Sequence, residues 1–264
     1  MTARLDALAG WFAGRGRVLV ALSGGVDSAL VAYAAHRSLG SLATAVTADY
    51  RALSREELES AEAVCSEIGI SRRVLSYDEL ENEGFARNGP DRCLHCRGEL
   101  GGRLAAMARR LGGVVVDGTN LDDLGDYRPG ISAMRASGVL SPLVETGMTK
   151  ADVREAARSA GLSVHDRPSN SCLASRIPWG TRVTAERLAR IEAGEMIVRR
   201  HAGARQVRVR DMGGTARIEV DAGSIPSLRA AMGPISEGLR AVGFGRSEVD
   251  GRGYRQGGTN VVAD

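Results

Sequence analysis

A loop near the start of the chain carries the residues whose types and spacing best suit phosphate chemistry. Its sequence, S-G-G-V-D-S over residues 23–28, follows an apolar run at 17–22 and overlaps the start of an amphipathic stretch at 27–39. The run predicts a buried strand, and the stretch predicts a helix. Glycines let backbone N–H groups approach a phosphate, a helix N-terminus adds free N–H groups, and an acid such as Asp27 can hold Mg²⁺ beside them. The predicted phosphate and Mg²⁺ contacts are Ser23, Gly24, Gly25, Asp27 and Ser28.

This motif is not the lysine-bearing loop that grips the β- and γ-phosphates, because it lacks the Lys of G-x-x-x-x-G-K-[ST]. It resembles S-G-G-x-D-S, the loop of the PP-loop ATP pyrophosphatase superfamily. Enzymes with that loop cleave ATP between the α- and β-phosphates and transfer AMP to a carboxylate or carbonyl oxygen. The resemblance implies that the chain binds ATP and releases pyrophosphate. A glycine-rich turn in an unrelated α/β protein is the alternative.

Two more segments end predicted strands and are expected at the same edge of the sheet. Residues 45–48 end one strand, where PP-loop proteins cup adenine with backbone groups, so Thr47 is a predicted ATP contact. Asn120 and Asp123 follow the strand predicted at 114–117. Ligands of open α/β sheets bind at the carboxyl ends of the strands. We therefore expect Asn120 to contact the nucleotide and Asp123 to bind a divalent metal, unless both lie in a solvated turn.

The order of predicted elements indicates how these segments are positioned. Strands and helices alternate over residues 1–165, which indicates an α/β domain with a doubly wound, mainly parallel sheet covered on both faces. Residues 166–255 combine a polar loop that carries Cys172, helices and alternating strands, which indicates a smaller α+β domain. Residues 256–264 are predicted to form a mobile tail.

Local signals mark several helix ends. Ser54 is followed by Glu57 three residues later, and Thr149 is followed by Asp152 at the same spacing. The first pair has the spacing of a capping box, and Thr149 is predicted to cap a helix that has Asp152 in its first turn. The segment 224–242 is predicted to form one helix.

Two arginines lie on a predicted hairpin. The segments 206–210 and 216–220 alternate apolar and polar residues and are separated by a Gly-Gly turn. Arg208 and Arg210 are two apart on the first strand, so both side chains face the same side. Two guanidinium groups there can clamp a phosphate, and a solvated basic face is the alternative. Glu219, on the second strand, is expected either to hold a divalent metal or to order the arginines.

Cys172 lies in a polar loop between Arg167 and Arg176. Neighbouring guanidinium groups favour the thiolate, which is the form that attacks an electrophile or binds a metal. We therefore predict that Cys172 is a catalytic or metal-binding thiol. Cys65, in contrast, lies inside a predicted helix and is expected to pack in the core.

Cys93 and Cys96 form a C-x-x-C pair, which is predicted to lie in front of a helix at 96–111. Thiols this close can share one metal centre. A zinc ribbon is not expected without a second C-x-x-C, whereas Cys172 could add a third thiolate for a [4Fe–4S] cluster with one iron left open. A redox dithiol, a zinc ion completed by His95 or another histidine, and a site without metal are the alternatives.

The composition restricts the expected partners and compartment. The chain has 264 residues, four cysteines, a formal net charge of +3 and a single lysine, Lys150. This balance suits phosphate-bearing small molecules and is too mild to indicate nucleic acid. The apolar runs are too short to predict a signal peptide or a membrane span, so we expect a cytoplasmic enzyme with reduced cysteines.

A closer resemblance rests on five motifs. These are C-L-A-S-R-I-P at 172–178, G-x-x-V-T at 180–184, V-R-V-R at 207–210, A-R-I-E-V at 216–220 and G-Y-R at 253–255. With them the chain resembles, over nearly its whole length, the LarE family of ATP-dependent sulfur-insertion enzymes in nickel-pincer nucleotide biosynthesis. The resemblance implies that ATP adenylates a carboxylate of a pyridinium mononucleotide. A sulfur nucleophile would then displace AMP and leave a thiocarboxylate.

The resemblance implies two alternative sources of the sulfur. In one branch of the family, the cysteine that Cys172 matches gives up its own sulfur and ends as dehydroalanine. In the other, three cysteines hold a [4Fe–4S] cluster that delivers extra sulfide. The set of Cys93, Cys96 and Cys172 resembles this second branch.

The resemblance also implies that residues 166–255 form the domain for substrate binding and sulfur transfer, and it implies further contacts and an assembly. Arg208 and Arg210 would hold the substrate phosphate, Arg176 would contact substrate or AMP, and the chain would form a homo-oligomer, a hexamer built from trimers. The competing hypotheses are a tRNA-thiolating PP-loop enzyme, a ligase such as NAD synthetase that uses ammonia, and a nucleotide-sensing module. Nucleic acid is not expected, because the sequence has no basic stripe with interleaved aromatic residues.

Overall fold

The computed structural model describes residues 3–125 and 129–255. The tail that is predicted to be mobile, residues 256–264, lies outside the described residues. Within the described part, no helix is both long and apolar enough to cross a membrane.

The described residues form two compact units. Residues 79–92 interrupt the first unit and pack with the second, which the order of predicted elements does not indicate. The assignment of nucleotide binding to residues 1–165, and of substrate binding with sulfur transfer to 166–255, stays a prediction. The first unit contains residues 3–78 and 93–170, and the second unit contains residues 79–92 and 171–255.

Strands and helices alternate along the first unit, and helices outnumber strands in both. The strands are β1 (Arg17–Ala21), β2 (Ala43–Asp49), β3 (Ser71–Ser76), β4 (Gly113–Val116), β5 (Val207–Met212), β6 (Thr215–Val220) and β7 (Arg246–Val249). The helices are α1 (Ala3–Phe12), α2 (Val26–Leu39), α3 (Arg55–Ile68), α4 (Glu83–Ala86), α5 (Arg92–Leu111), α6 (Pro129–Ala136), α7 (Pro142–Glu145), α8 (Lys150–Ser159), α9 (Ala185–Ala202), α10 (Ile225–Ala230) and α11 (Met232–Ala241).

The first unit is built on a four-stranded parallel sheet in the order β3-β2-β1-β4. Val20 of β1 pairs with Ala45 of β2 on one side and with Val116 of β4 on the other. Parallel neighbours need crossover connections, and helices supply them here. The predicted α/β class with a parallel sheet is confirmed.

Helices cover both faces of this sheet. On one face, Val18 and Val20 of β1 pack with apolar side chains of α1, α2 and α8. On the other face, Leu19 belongs to a cluster with Leu100 and Leu104 of α5. Successive side chains of a strand point to opposite faces, so β1 is buried on both sides. Its carboxyl end is therefore a fixed platform for the loop that follows.

One predicted helix cap is present and the other is not. The Thr149 hydroxyl accepts the N–H of Asp152 at 3.2 Å, and the Asp152 carboxylate accepts the N–H of Thr149 at 2.9 Å. Among the described residues, the Ser54 side chain finds no cap partner, so the capping box predicted there is wrong. The Glu57 carboxylate bonds instead to side chains of residues 167–170.

The second unit contains a three-stranded sheet in the order β5-β6-β7. Strands β5 and β6 form an antiparallel hairpin, as predicted, and β7 runs parallel to β6. Gly213 and Gly214 make the hairpin turn with φ values of 66° and 94°, which glycine adopts without strain. Helix α9 lies close to this sheet at Gly194, where an added Cβ would be 3.3 Å from Val209.

The helix predicted over 224–242 is in fact two helices, α10 and α11, which are separated at Ala231. Pro234, in the first turn of α11, has no N–H to donate to the carbonyl four residues earlier. The prediction of one continuous helix is therefore wrong, and the proline accounts for the break.

Candidate functional site

The loop between β1 and α2 is held at the carboxyl edge of the sheet in the first unit. The N–H of Leu22 donates to the carbonyl oxygen of Val46 at 2.9 Å, which prolongs the pairing of β1 with β2. Gly24 has a φ of 83°, and an added Cβ would lie 2.6 Å from the carbonyl oxygen of Glu57. Gly25 is the N-cap of α2. The loop thus presents the N-terminus of α2, with free N–H groups and a positive dipole end, where an anion can bind.

The two serines of the loop differ in their surroundings. Ser28 is almost fully buried, and its Oγ accepts the N–H of Ser23 at 3.2 Å and donates to the carbonyl oxygen of Gly25 at 3.1 Å. Ser23 is exposed, and its Oγ lies 3.2 Å from that of Ser28. Ser28 therefore fixes the shape of the loop, whereas Ser23 can turn its hydroxyl to a ligand.

Asp27 is the meeting point of two other segments of the first unit. Its Oδ1 accepts a hydrogen bond from Asn120 Nδ2 at 3.1 Å, and its Oδ2 accepts one from Lys150 Nζ. The side chains of Asp27 and Lys150 are 23% and 32% exposed, so both remain open to a ligand. A divalent cation on the Asp27 carboxylate would compete with the Lys150 ammonium, which could then turn to phosphate oxygens.

The segment after β4 packs directly on the start of α2. An added Cβ on Gly118 would lie 2.6 Å from the backbone nitrogen of Ser28. The Asn120 side-chain oxygen accepts the N–H groups of Asp122 at 3.0 Å and Asp123 at 3.3 Å. In return, Asp123 Oδ2 accepts the N–H of Asn120 at 3.1 Å. The turn thus positions Asn120 against the phosphate loop, while the carboxylate of Asp123 serves the turn itself.

Thr47 lies inside the sheet rather than at its edge. Strand β2 ends at Asp49, one residue beyond the predicted end at 45–48. Thr47 is fully buried, and its Oγ1 has no hydrogen-bond partner among the described residues. The predicted ATP contact of Thr47 stays a prediction, and it requires a movement of the residues around it.

The paired cysteines lie inside a helix, not in front of one. The N–H of Arg92 donates to the carbonyl oxygen of Gly89 at 3.0 Å, so the preceding turn runs straight into α5, and the predicted start at Cys96 is wrong. Cys93 is exposed and Cys96 is half-buried, three residues apart in the first turn, where side chains are neighbours. Across residues 3–125 and 129–255, no three His, Cys, Asp or Glu side chains are grouped to hold a metal ion.

In the second unit, Arg176 shapes the loop that carries Cys172. The guanidinium donates to the carbonyl oxygens of Ser171 at 2.6 Å and Cys172 at 3.0 Å, and to the Ser175 hydroxyl at 3.0 Å. The N–H of Ser175 closes the turn on the Cys172 carbonyl oxygen at 2.9 Å. Cys172 itself is half-buried. One buried cation therefore fixes the backbone on which the thiol sits.

Arg176 is fully buried and is neutralised by Glu195 of α9. The two groups meet at 2.8 Å and 3.1 Å, and Glu195 also accepts the N–H of Val209 at 3.1 Å. Burial alone would lower the pKa of Arg176, but the charge and hydrogen bonds of Glu195, with smaller contributions from Cys172 and Tyr254, together raise the pKa above its usual value. The guanidinium is therefore permanently charged.

The two arginines of β5 are buried, so the alternative of a solvated basic face does not hold. Arg210 forms a paired contact with Glu219, at 3.0 Å and 2.7 Å, and donates to the carbonyl oxygen of Ser175 at 3.1 Å. Arg208 lies over the ring of Tyr254, with 5.1 Å from its guanidinium carbon to the ring centre. Burial, with a further contribution from the nearby Arg176, lowers the pKa of Arg208 to about 10. Glu219 thus orders Arg210, and Arg208 would gain from an anionic ligand.

The chain is similar to known proteins over nearly its whole length. The family model of the queuosine biosynthesis protein QueC matches residues 17–86, which include the phosphate loop. An uncharacterized protein of Synechocystis sp. is 39% identical over 99% of this chain and 98% of its own length. The pyridinium-3,5-bisthiocarboxylic acid mononucleotide synthase of Lactiplantibacillus plantarum is 33% identical over 92% of this chain and 89% of its own length. The chain belongs to the LarE family. As a LarE family member, it is an ATP-dependent sulfur transferase of the PP-loop type.

Another PP-loop enzyme matches only part of this LarE family member. The tRNA-specific 2-thiouridylase MnmA of Roseiflexus sp. is 37% identical over 36% of the chain and 31% of its own length. The match to the L. plantarum synthase, in contrast, is long enough that it must include residues of both units.

Two charged residues of the site, Lys150 and Glu195, were not identified from the sequence. Lys150 is the first residue of α8, directly after the Thr149 cap. A lone lysine in a chain whose other basic side chains are nearly all arginines was the signal that could have identified it. Glu195 gave no such signal, because its role depends on Arg176, which is distant in sequence and reaches it only in the fold.

Proposed function

We propose that this LarE family member adenylates a carboxylate of a pyridinium mononucleotide and converts it to a thiocarboxylate. The observation that carries the proposal is the extent of the match to the L. plantarum synthase, which takes in the phosphate loop and the Cys172 loop alike. The match to the tRNA-thiolating relative covers only 36% of the chain, so it supports tRNA thiolation less strongly than the longer match supports the proposed reaction.

The first step activates a poor electrophile. A carboxylate oxygen of the substrate attacks the α-phosphorus of ATP, and the bond to the β-phosphate oxygen breaks, which yields an acyl adenylate and pyrophosphate. The charge that develops on the phosphates is stabilised by fixed donors. We assign this role to Ser23, to the N–H groups at the start of α2 and to Asn120. Mg²⁺ on Asp27 would release Lys150, whose ammonium would then hold the departing pyrophosphate.

The second step adds the sulfur. A sulfur nucleophile attacks the acyl carbon, and AMP leaves with the electron pair of the broken C–O bond. We propose that the substrate phosphate binds at Arg208, with Arg210 held in place by Glu219. Both arginines lie on the strand next to the Cys172 loop, which Arg210 contacts through the Ser175 carbonyl oxygen. Arg176 serves this step by fixing the Cys172 backbone rather than by binding ligand.

The proposed reaction has two versions, which differ in the source of the sulfur. We favour sulfide delivered by a [4Fe–4S] cluster, which would supply the nucleophile when bound to Cys93, Cys96 and Cys172. The first two thiols are neighbours in one helical turn, which suits two ligands of one centre, and the third lies in the other unit. In the alternative version, the Cys172 sulfur attacks, forming a thioester. Loss of the Cα proton then breaks the Cβ–S bond and leaves dehydroalanine and the thiocarboxylate.

Pyrophosphate release tests the reaction and separates it from a nucleotide-sensing module. The purified chain, given ATP, Mg²⁺ and a pyridinium carboxylate mononucleotide, should release pyrophosphate, and Asp27→Asn should reduce the rate strongly. If ammonia supports full turnover and Cys172→Ala remains fully active, the function is that of an amide-forming ligase instead. Release of no pyrophosphate by any combination of substrates would reject the proposal.

Anaerobic iron and sulfide analysis separates the two sulfur sources. The cluster version expects the broad absorbance of a [4Fe–4S] centre, lost in Cys93→Ala and retained in Cys65→Ala, because Cys65 is buried in the core of the first unit. Colourless, iron-free protein after anaerobic reconstitution would exclude that version. Loss of one sulfur from the Cys172 peptide after a single turnover, seen by mass spectrometry, would establish the sacrificial version.

A second candidate function is tRNA thiolation, which the partial match to MnmA favours. Binding of tRNA at low salt, followed by ATP-dependent thiolation of a uridine, would support it.

Light scattering after size-exclusion chromatography tests the proposed hexamer built from trimers.

A further inference from the structure

The carbonyl oxygen of Gly24, in the middle of the phosphate loop, accepts two hydrogen bonds from outside the loop. Ser60 Oγ of α3 donates at 2.9 Å, and Arg167 Nη1 donates at 3.1 Å. In a trans peptide the C=O and the following N–H point in opposite directions. Fixing the Gly24 carbonyl therefore also fixes the N–H of Gly25, which is directed away from Ser60 and Arg167.

Arg167 is itself anchored at both ends within the first unit. Its carbonyl oxygen accepts a hydrogen bond from Arg154 of α8 at 3.1 Å. Its guanidinium meets the carboxylate of Glu57 with Nη2 at 2.8 Å from Oε1 and Nη1 at 3.1 Å from Oε2. The two side chains are only 18% and 10% exposed, so water screens the pair weakly. Glu57 thus sets the position of the nitrogen that reaches Gly24.

Asn170 ties a neighbouring part of the chain to the same carboxylate. Its Nδ2 donates to Glu57 Oε1 at 3.2 Å, three residues after Arg167. The segment 167–170 is therefore held on α3 at two points. This explains why Glu57 does not close the capping box that its spacing from Ser54 predicts.

We propose that Arg167, oriented by Glu57, is a positioning residue for ATP. It holds the peptide between Gly24 and Gly25 so that the Gly25 N–H is set to donate to a phosphate oxygen. A hydrogen bond from a cation to the carbonyl also polarises the peptide, which makes its N–H a stronger donor toward an anion. Arg167 acts through the loop and does not touch the nucleotide. The inference rests on the proposed nucleotide site in this loop.

The test measures the affinity for ATP by calorimetry, in the presence of Mg²⁺, for the unchanged full chain and for variants of it. The variants are chosen so that no buried charged side chain loses its partner. The double variant Arg167→Met with Glu57→Gln leaves no buried charge unpaired, and we expect ATP to bind about tenfold more weakly. Arg167→Lys keeps a cation that can reach Gly24 and should lose less. The matched control is Arg158→Met with Glu155→Gln, an exposed pair of α8 with both side chains 61% exposed, which should bind ATP as the unchanged chain does.

A kinetic readout distinguishes positioning from a merely structural role. Positioning predicts a raised KM for ATP with little change in kcat in the pyrophosphate assay. A structural role predicts a lower thermal midpoint and less active protein at an unchanged KM, and that result would overturn the inference. Ser60→Ala removes only the hydrogen bond from Ser60 to the Gly24 carbonyl oxygen and leaves the bond from Arg167 in place. This variant should fold normally and bind ATP roughly threefold more weakly. Unchanged affinity in both Ser60→Ala and the double variant would also overturn it.

The outcomes separate this inference from the proposed function. If the unchanged chain binds no ATP, both fall. If it binds ATP and releases pyrophosphate while the double variant does so with the same affinity and KM, the function stands and the role of Arg167 is refuted.

Discussion

Replacing Arg176 by Met should destabilise the second unit strongly. The guanidinium is completely buried, and the Glu195 side chain that it neutralises is only 6% exposed. Without Arg176, the carboxylate of Glu195 would remain buried with the N–H of Val209 as a partner. The carbonyl oxygens of Ser171 and Cys172 would also lose their donor. Removal of one partner from a buried ion pair typically costs about 3–5 kcal/mol.

That loss is a large share of the total, because folded domains are stable by only about 5–15 kcal/mol. The exposed pair of Arg182 and Glu83 in the same unit is the matched control, with contacts of 2.6 Å and 2.8 Å but side chains 55% and 68% exposed. Water screens such a pair, so Arg182→Met should leave the stability almost unchanged. The double variant Arg176→Met with Glu195→Gln should recover part of the loss, because it leaves no buried carboxylate without its guanidinium partner.

Urea denaturation followed by tryptophan fluorescence measures the effect in the relevant unit. The chain has two tryptophans, and in a Trp11→Phe background the signal comes from Trp179, which belongs to the second unit. The midpoint should fall clearly for Arg176→Met and remain in place for Arg182→Met. Equal midpoints for these two variants would refute the argument that burial makes the Arg176 pair critical.

Two further predictions concern the first unit. Thr149→Ala removes the hydroxyl that caps α8 and should cost about 1 kcal/mol, whereas Ser54→Ala should cost clearly less, because its hydroxyl makes no cap bond among the described residues; urea denaturation compares them, and equal losses would contradict the prediction. Gly118→Ala would push a Cβ to 2.6 Å from the backbone nitrogen of Ser28 and should weaken ATP binding in calorimetry. Gly102→Ala on α5 is the control, because an added Cβ there would meet no atom within 4 Å. It should stabilise the helix by up to about 1 kcal/mol and leave ATP binding unchanged. Equal ATP affinity in the Gly118 and Gly102 variants would contradict the prediction.

Local sequence signals were sufficient to predict several elements of both units. The apolar run before the phosphate loop predicts β1, because a strand covered on both faces must be apolar throughout. The turn glycines between β5 and β6 predict the hairpin, since few other residues adopt positive φ there. Thr149, followed by a helical pattern with an acid in its first turn, predicts the cap of α8, since all the partners of this cap lie within four residues.

The remaining features depend on partners that are distant in sequence. Ser54 and Glu57 have the same spacing as Thr149 and Asp152, which form the cap of α8. The Glu57 carboxylate nevertheless binds Arg167, which lies 110 residues away in the sequence. Nothing in the sequence around Arg176 indicates that Glu195, 19 residues further along the chain, neutralises it. A buried charge is tolerated only with such a partner, and one-dimensional spacing does not reveal which acid supplies it.

The contact between Lys150 and Asp27 has a practical consequence for spectroscopy. Because Lys150 is the chain's single lysine, a sample labelled with ¹⁵N only on lysine side chains would give one ε-ammonium resonance. That resonance would report the environment of one atom at the phosphate loop without any substitution or attached dye. Transfer of the ammonium from the Asp27 carboxylate to a phosphate would shift this one signal, so the protein carries its own reporter of nucleotide binding.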